Sequence, residues 1–269
     1  MYPAGIHLGI SNAVQLLYML GLAVIFGDRA FYDGSLLSGF TVEITGIAGL
    51  LAAAACSFLY RNDCRNRAYG RLIPSPPGVR ISASSGIFLL MIGASLSLYG
   101  NVIINFISGF FRIGMDFYTE QMDQVSSGKS LLFLIFFLGI AAPVAEETVF
   151  RWLVYLRLRD AFGIWPSVLL SSAFFGIYHG NLVQALYAGL LGAVFAFSLE
   201  MTGNLWSPVL LHVGANVFSL MLDEYGEAAA SSWAGGMIYM GMFGILFIVL
   251  AAGIVWLARS GFSRGYRAV

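Results

Sequence analysis

Apolar runs approaching the length of a bilayer span recur along this chain, and they constrain its fold more than any other feature. A hydrocarbon core about 30 Å thick takes roughly 20 apolar residues of helix. Eight segments fit or approach that pattern: Leu8–Phe26, Leu36–Tyr60, Ile81–Phe110, Ser130–Leu156, Ile164–Tyr178, Leu182–Leu199, Leu205–Leu222 and Gly235–Leu257. Of the 269 residues, 59% are hydrophobic and only 10% charged, where a soluble domain is about 25% charged. The mean hydropathy of +0.81 points the same way. The expected fold is all-α: a polytopic transmembrane bundle of about eight membrane helices. The fifth and sixth spans, joined only through His179-Gly180-Asn181, form either a hairpin or a turn that dips into the membrane.

Formal net charge is zero, which leaves no bulk electrostatic attraction for nucleic acid. Cys56 and Cys64 match no metal or redox spacing. The 32 glycines suit close helix packing in lipid. Ile73–Gly78 reads as a stiff proline-rich loop. No internal repeat, soluble domain or cleavable signal peptide is evident, because the first run is long enough to remain in the membrane.

Orientation follows from the basic residues. With eight alternating spans, Arg61, Arg65, Arg67, Arg71, Arg80, Arg157, Arg159, Arg259, Arg264 and Arg267 share one side, which should be the cytoplasm. Arg29, Arg112 and Lys129 fall opposite, among most of the acidic residues outside the membrane, including Asp28, Asp33 and Asp116. Both termini are then cytoplasmic.

Within the fourth run lies Pro143-Val144-Ala145-Glu146-Glu147-Thr148-Val149-Phe150-Arg151. Three charges near mid-helix cost about 8–10 kcal/mol, at roughly 2.5–3.5 each. The 16 Leu, Ile, Phe and Val residues from Leu131 to Leu158 offset roughly 8 kcal/mol of that. Such charges should face other helices or a wet cavity. Glu147 and Arg151 are four apart on one helix face and should pair. Glu146 points about 100° away and is free to act on something else. Pro143 should bend the helix and open space beside it.

Three histidines are present. His7, near the start of the first run, reads as interfacial. His179 closes Phe175-Gly176-Ile177-Tyr178-His179, and His212 shares a face with Asn216 in the seventh run. Counting from the helix ends nearest the cytoplasm, Glu146 lies about 15–18 Å deep, His212 about 10 Å, Asn216 about 16 Å and His179 about 22 Å. His179 is the outlier. Glu146 in a low-dielectric site suits taking a proton from water. His179 could hold that water, and His212 and Asn216 could donate to an oxyanion. No serine or cysteine is paired with a base. A Zn²⁺ held by Glu146, His179 and His212 is the competing reading, but the usual His-Glu-x-x-His helix is absent. Metal-free glutamate chemistry is favoured, with no cofactor. Asn101 and Asn105 share a face and should hydrogen-bond across helices; Glu43 should lie near the outer interface.

Glu146-Glu147-x-x-x-Arg151, Phe175-x-x-x-His179 and His212-x-x-x-Asn216, in that order, resemble the CPBP family of intramembrane proteases, which comprises type II CAAX prenyl proteases, Abi proteins and bacteriocin-processing or immunity proteins. The resemblance covers about Leu131–Leu222. It implies residues 1–129 as N-terminal membrane helices and loops, 130–222 as the catalytic core, and 223–269 as a last membrane helix with a basic tail. It also implies an intramembrane endopeptidase in which Glu146 and His179 activate water, His212 and Asn216 form the oxyanion site, and Glu147, Arg151 and Phe175 support them. The resemblance does not give the substrate: eukaryotic relatives in that family cut after a prenylated cysteine, whereas a chain in a prokaryotic plasma membrane, which the compact length suggests, would process a peptide, a bacteriocin-like precursor or a membrane protein. Two other readings use the same buried acids: a proton-coupled transporter, and a non-catalytic membrane partner or immunity protein.

Overall fold

The computed structural model describes residues 2–27, 40–68, 78–108, 119–120, 122–123 and 125–263. Most of the proline-rich loop lies outside them, as do Asp28, Arg29, Asp33, Arg71, Arg112, Asp116, Arg264, Arg267 and the side chain of Asn105. Among the described residues no strand occurs. Eight long helical segments follow in order: α1 (Tyr2–Phe26), α2 (Thr41–Ala68), α3 (Ala83–Ser108), α4 (Leu131–Phe162), α5 (Ile164–Tyr178), α6 (Leu182–Thr202), α7 (Trp206–Ala230) and α8 (Trp233–Ser263). Six of them, α1, α2, α3, α4, α6 and α8, are long and apolar enough to cross a membrane. The chain is an integral membrane protein, a polytopic helical bundle.

Several helices outrun their apolar runs because their charged ends are paired. Arg67 makes a bidentate pair with Asp160 at 2.7 and 2.8 Å, and Arg157 another with Asp63 at 2.7 and 3.1 Å. Arg159 reaches Glu200 at 2.9 Å. These pairs gather the C-terminal ends of α2, α4 and α6 into one belt. At the opposite end Lys129 meets Glu43 at 3.2 Å, joining the starts of α2 and α4. The alternation of spans inferred from charge therefore holds for these three helices.

Glycine lets backbones touch where the core helices cross. A Cβ on Gly93 would overlap the Leu211 carbonyl, and one on Gly214 the Leu90 carbonyl, so α3 and α7 meet backbone to backbone. Gly176 does the same for α5 against the Ala185 carbonyl of α6. Gly46 and Gly49 seat Phe137 and Ala145 of α4 against α2. By contrast Gly5, Gly9 and Gly21 of α1 face open space. Asn101 makes no hydrogen bond among the described residues, so the expected bridge to a neighbouring helix is not formed by it.

The long α4 is not uniform. It runs through Leu131–Leu134 (α), Ile135–Ala141 (π), Ala142–Val149 (α), Phe150–Tyr155 (π) and Leu156–Phe162 (α). Ser130 caps its start, its side chain accepting from the Phe133 amide. Proline has no N–H to give to the preceding turn. Where a bend was expected at Pro143, the structure has a π segment just upstream. The Ala142 amide there donates to the Phe137 carbonyl, a bond five residues long. The next carbonyl, Leu138, would need the amide of residue 143, and proline has none. Asn216 supplies the missing donor, with Nδ2 2.9 Å from the Leu138 oxygen.

Candidate active site

The short α-helical stretch between the two π segments presents Glu146 and Glu147 in different directions. Glu147 is fully buried, whereas the Glu146 side chain is 18% exposed. Glu147 sits at the centre of a chain of charges. Its Oε2 is 3.1 Å from Arg151 Nε, so the expected pair forms. The angle is off line for a hydrogen bond, however, and the Arg151 Nη1 and Nη2 atoms have no hydrogen-bond partner among the described residues. Its other oxygen, Oε1, is 2.9 Å from His212 Nδ1. His212 Nε2 in turn lies 3.8 Å from Glu146 Oε2, beyond direct hydrogen-bond range. The sequence Arg151, Glu147, His212, Glu146 thus alternates basic and acidic groups across α4 and α7.

These contacts set the tautomers. A carboxylate only accepts, so His212 Nδ1 carries the proton that it donates to Glu147. His179 Nδ1 is 2.8 Å from the Phe175 carbonyl; a carbonyl also only accepts, so this nitrogen is the donor as well. In the neutral ring His179 Nε2 is left with a free lone pair.

Aromatic rings hold the polar chain. Phe175 lies edge-on to His179 at 4.8 Å and to His212 at 5.8 Å, so one ring walls both imidazoles. The Arg151 guanidinium lies over Phe175 at 4.2 Å and over Phe195 at 5.5 Å, where the ring faces attract a cation. Phe195 also stacks on His212 at 4.9 Å. Gly192 makes room for this arrangement: a Cβ there would come within 2.7 Å of Arg151 Nη2.

Depth no longer separates His179 from Glu146. Val168 and Leu156 share one buried cluster, which sets the relative height of α5 and α4. Glu146 is ten residues from Leu156 and His179 eleven from Val168, so both lie about 15–17 Å from that layer. The 22 Å obtained from the start of α5 overstates its depth, because α5 begins beyond the layer. At 15 residues α5 is about 22 Å long, short of a 30 Å core. Its turn at His179 and Gly180, the latter at φ +78°, therefore falls within membrane depth.

His7 corrects an expectation. It is not interfacial: it is only 4% exposed, and its Nδ1 is 2.7 Å from the Tyr178 hydroxyl. Tyr178 packs on Phe150 at 5.4 Å and lies 6.0 Å from the His179 ring. Sequence reasoning also passed over Tyr178, Phe195 and Gly192. The spacing of Gly192 and Phe195 on one face of α6 was the only sign of their shared role. Among the described residues no three His, Cys, Asp or Glu side chains come together as a metal-ligand set.

Residues 128–218 match the family model described as Type II CAAX prenyl endopeptidase Rce1-like. The chain is 26% identical over 149 residues to the Bacillus subtilis protein called "Putative membrane peptidase YdiL", covering 54% of this chain and 60% of that one. It is 32% identical over 97 residues to human CAAX prenyl protease 2, covering 29% of this chain and 30% of the human one. An Escherichia coli protein of 24.3 kDa is 32% identical over 87 residues, 30% of this chain and 40% of its own. The chain thus spans between about a third and three fifths of the length of these relatives. No solved structure matches it.

Proposed function

We propose that the chain, which over residues 128–218 matches the model of the Rce1-like type II CAAX prenyl endopeptidases, is an intramembrane endopeptidase that hydrolyses a peptide bond with a water activated by Glu146 and His179. The observation that carries this reading is the relay from Arg151 through Glu147 and His212 to the partly exposed Glu146. Glu146 takes one proton from water while His179 Nε2 orients it. The hydroxide oxygen bonds to the scissile carbonyl carbon, and the carbonyl oxygen becomes the oxyanion. His212, in the form carrying both N–H groups, donates through Nε2 to that oxygen, and the second N–H of Asn216 adds to it. As the C–N bond breaks, Glu146 returns its proton to the leaving amine. With His212 charged, the two acids and two bases sum to zero, which lowers the cost of holding them in a dry site.

No metal takes part in this scheme. Chelators should therefore leave cleavage unchanged in the purified protein. The substrate is a peptide or membrane-protein segment, prenylated or bacteriocin-like. The human relative's name makes a fluorogenic peptide ending in a farnesylated Cys-aliphatic-aliphatic-X sequence the first probe, with its unprenylated form beside it. The protein resides in a prokaryotic plasma membrane with both termini cytoplasmic. Glu146→Gln should lower turnover of the cleaved probe by at least about 100-fold with helix content and thermal midpoint unchanged. Unaltered turnover removes Glu146 as the base, and failure of the wild-type protein to cleave either probe counts against the endopeptidase reading.

A further inference from the structure

A groove of about 610 Å³ runs between α1 and α2, and Tyr178 contributes to its wall. Its α1 side carries Ser11, Asn12 and Gln15, and its α2 side carries Thr45. His7, Ser11 and Gln15 follow one another at intervals of four along α1, a single stripe of the helix. The stripe begins at the His7–Tyr178 hydrogen bond, one residue from His179.

These polar groups are out of place for a lipid-facing helix. Only 6% of the most apolar stretch of α1 is buried. Asn12 and Gln15 are exposed near the middle of Tyr2–Phe26. Asn12 donates only to the Leu8 carbonyl of its own helix, and Gln15 and Thr45 make no hydrogen bond among the described residues. At hydrocarbon depth an amide without a partner is costly. His7 is also the polar exception among the few α1 residues that are buried.

We propose that the groove between α1 and α2 binds an extended backbone segment of the peptide substrate and leads it to Glu146 and His179. An extended peptide entering a bilayer has the same problem as these side chains, since its N–H and C=O groups find no water there. Amide and hydroxyl side chains along one stripe satisfy both donors and acceptors whatever the peptide's sequence. The volume lies within the range of specific ligand sites, about 300–1,000 Å³. The hydrogen bond from Tyr178 to His7 holds Tyr178, the wall residue at the inner end, beside His179.

This inference rests on the endopeptidase reading, and the test separates the two. A photo-crosslinking amino acid is placed at Gln15 or, as a lipid-facing control, at Val24, which is 87% exposed. Each is introduced into the Glu146→Gln protein and irradiated with the farnesylated probe peptide. Crosslinking at position 15 at least about fivefold above position 24 is expected, and equal yields overturn the groove. In the active protein Ser11→Ala with Gln15→Leu should raise KM about tenfold and leave kcat within about twofold. A fall in kcat with unchanged KM overturns it too. If the wild-type protein cleaves nothing, the endopeptidase reading fails, while the crosslinking ratio still decides whether the groove binds peptide.

Discussion

α1 and α4 have the same mean hydropathy in their most apolar stretches, yet 6% of that stretch is buried in α1 and 44% in α4. Hydropathy measures fitness for lipid and says nothing about which neighbours a helix meets. In α4 Glu147 and Arg151 are fully buried and paired with each other, and Glu147 also meets His212 of α7. In α1 the polar residues line a groove, and most of the remaining surface faces outward. Burial, not apolarity, separates the helix that carries the candidate site from the one that borders it.

The comparison breaks most sharply at Arg151. Arg151→Ala removes one partner of a buried pair and leaves Glu147 uncompensated, which should destabilise the protein by about 3–5 kcal/mol. Reversible unfolding in detergent measures this, and a change under about 1 kcal/mol would show that the pair behaves like an exposed one. Asn216→Ala leaves the Leu138 carbonyl without its donor and should cost about 1–3 kcal/mol. Pro143→Ala restores an amide at that point, so the double variant should recover part of the loss in a mutant cycle; strict additivity would show that the two residues act separately. Gly192→Ala places a methyl against the Arg151 guanidinium and should cost about 1–3 kcal/mol. Gly21→Ala on α1 faces open space and should stay within about 0.5 kcal/mol. Equal effects of the two glycine variants would erase the distinction between core and border helices.

Much of this was legible in the chain. The apolar runs marked all eight helical segments, and Ile164–Tyr178 matches α5 at both ends. Helix ends such as Phe162 and Thr202 were not legible, because hydropathy stops where charges begin while a helix continues as long as those charges find partners. The pairing of Glu147 with Arg151 followed from their spacing. The bond from His212 to Glu147 did not, since 65 residues separate them and no local rule links them. His7 looked interfacial because it stands near the end of an apolar run; its partner Tyr178 lies 171 residues away.

Periodic apolarity, the distribution of arginines and the order of three short motifs were sufficient to specify a helical membrane protein and to single out Glu146, Glu147 and His212, which the fold brings together. These are properties of composition and local spacing, which a bilayer reads directly. Which nitrogen of each imidazole holds a proton, why Asn216 attends to the carbonyl that Pro143 leaves unpaired, and how His7 joins the site were decided only when distant helices packed. Hydrogen bonds need contact within about 3 Å, and the packing of the helices sets those distances.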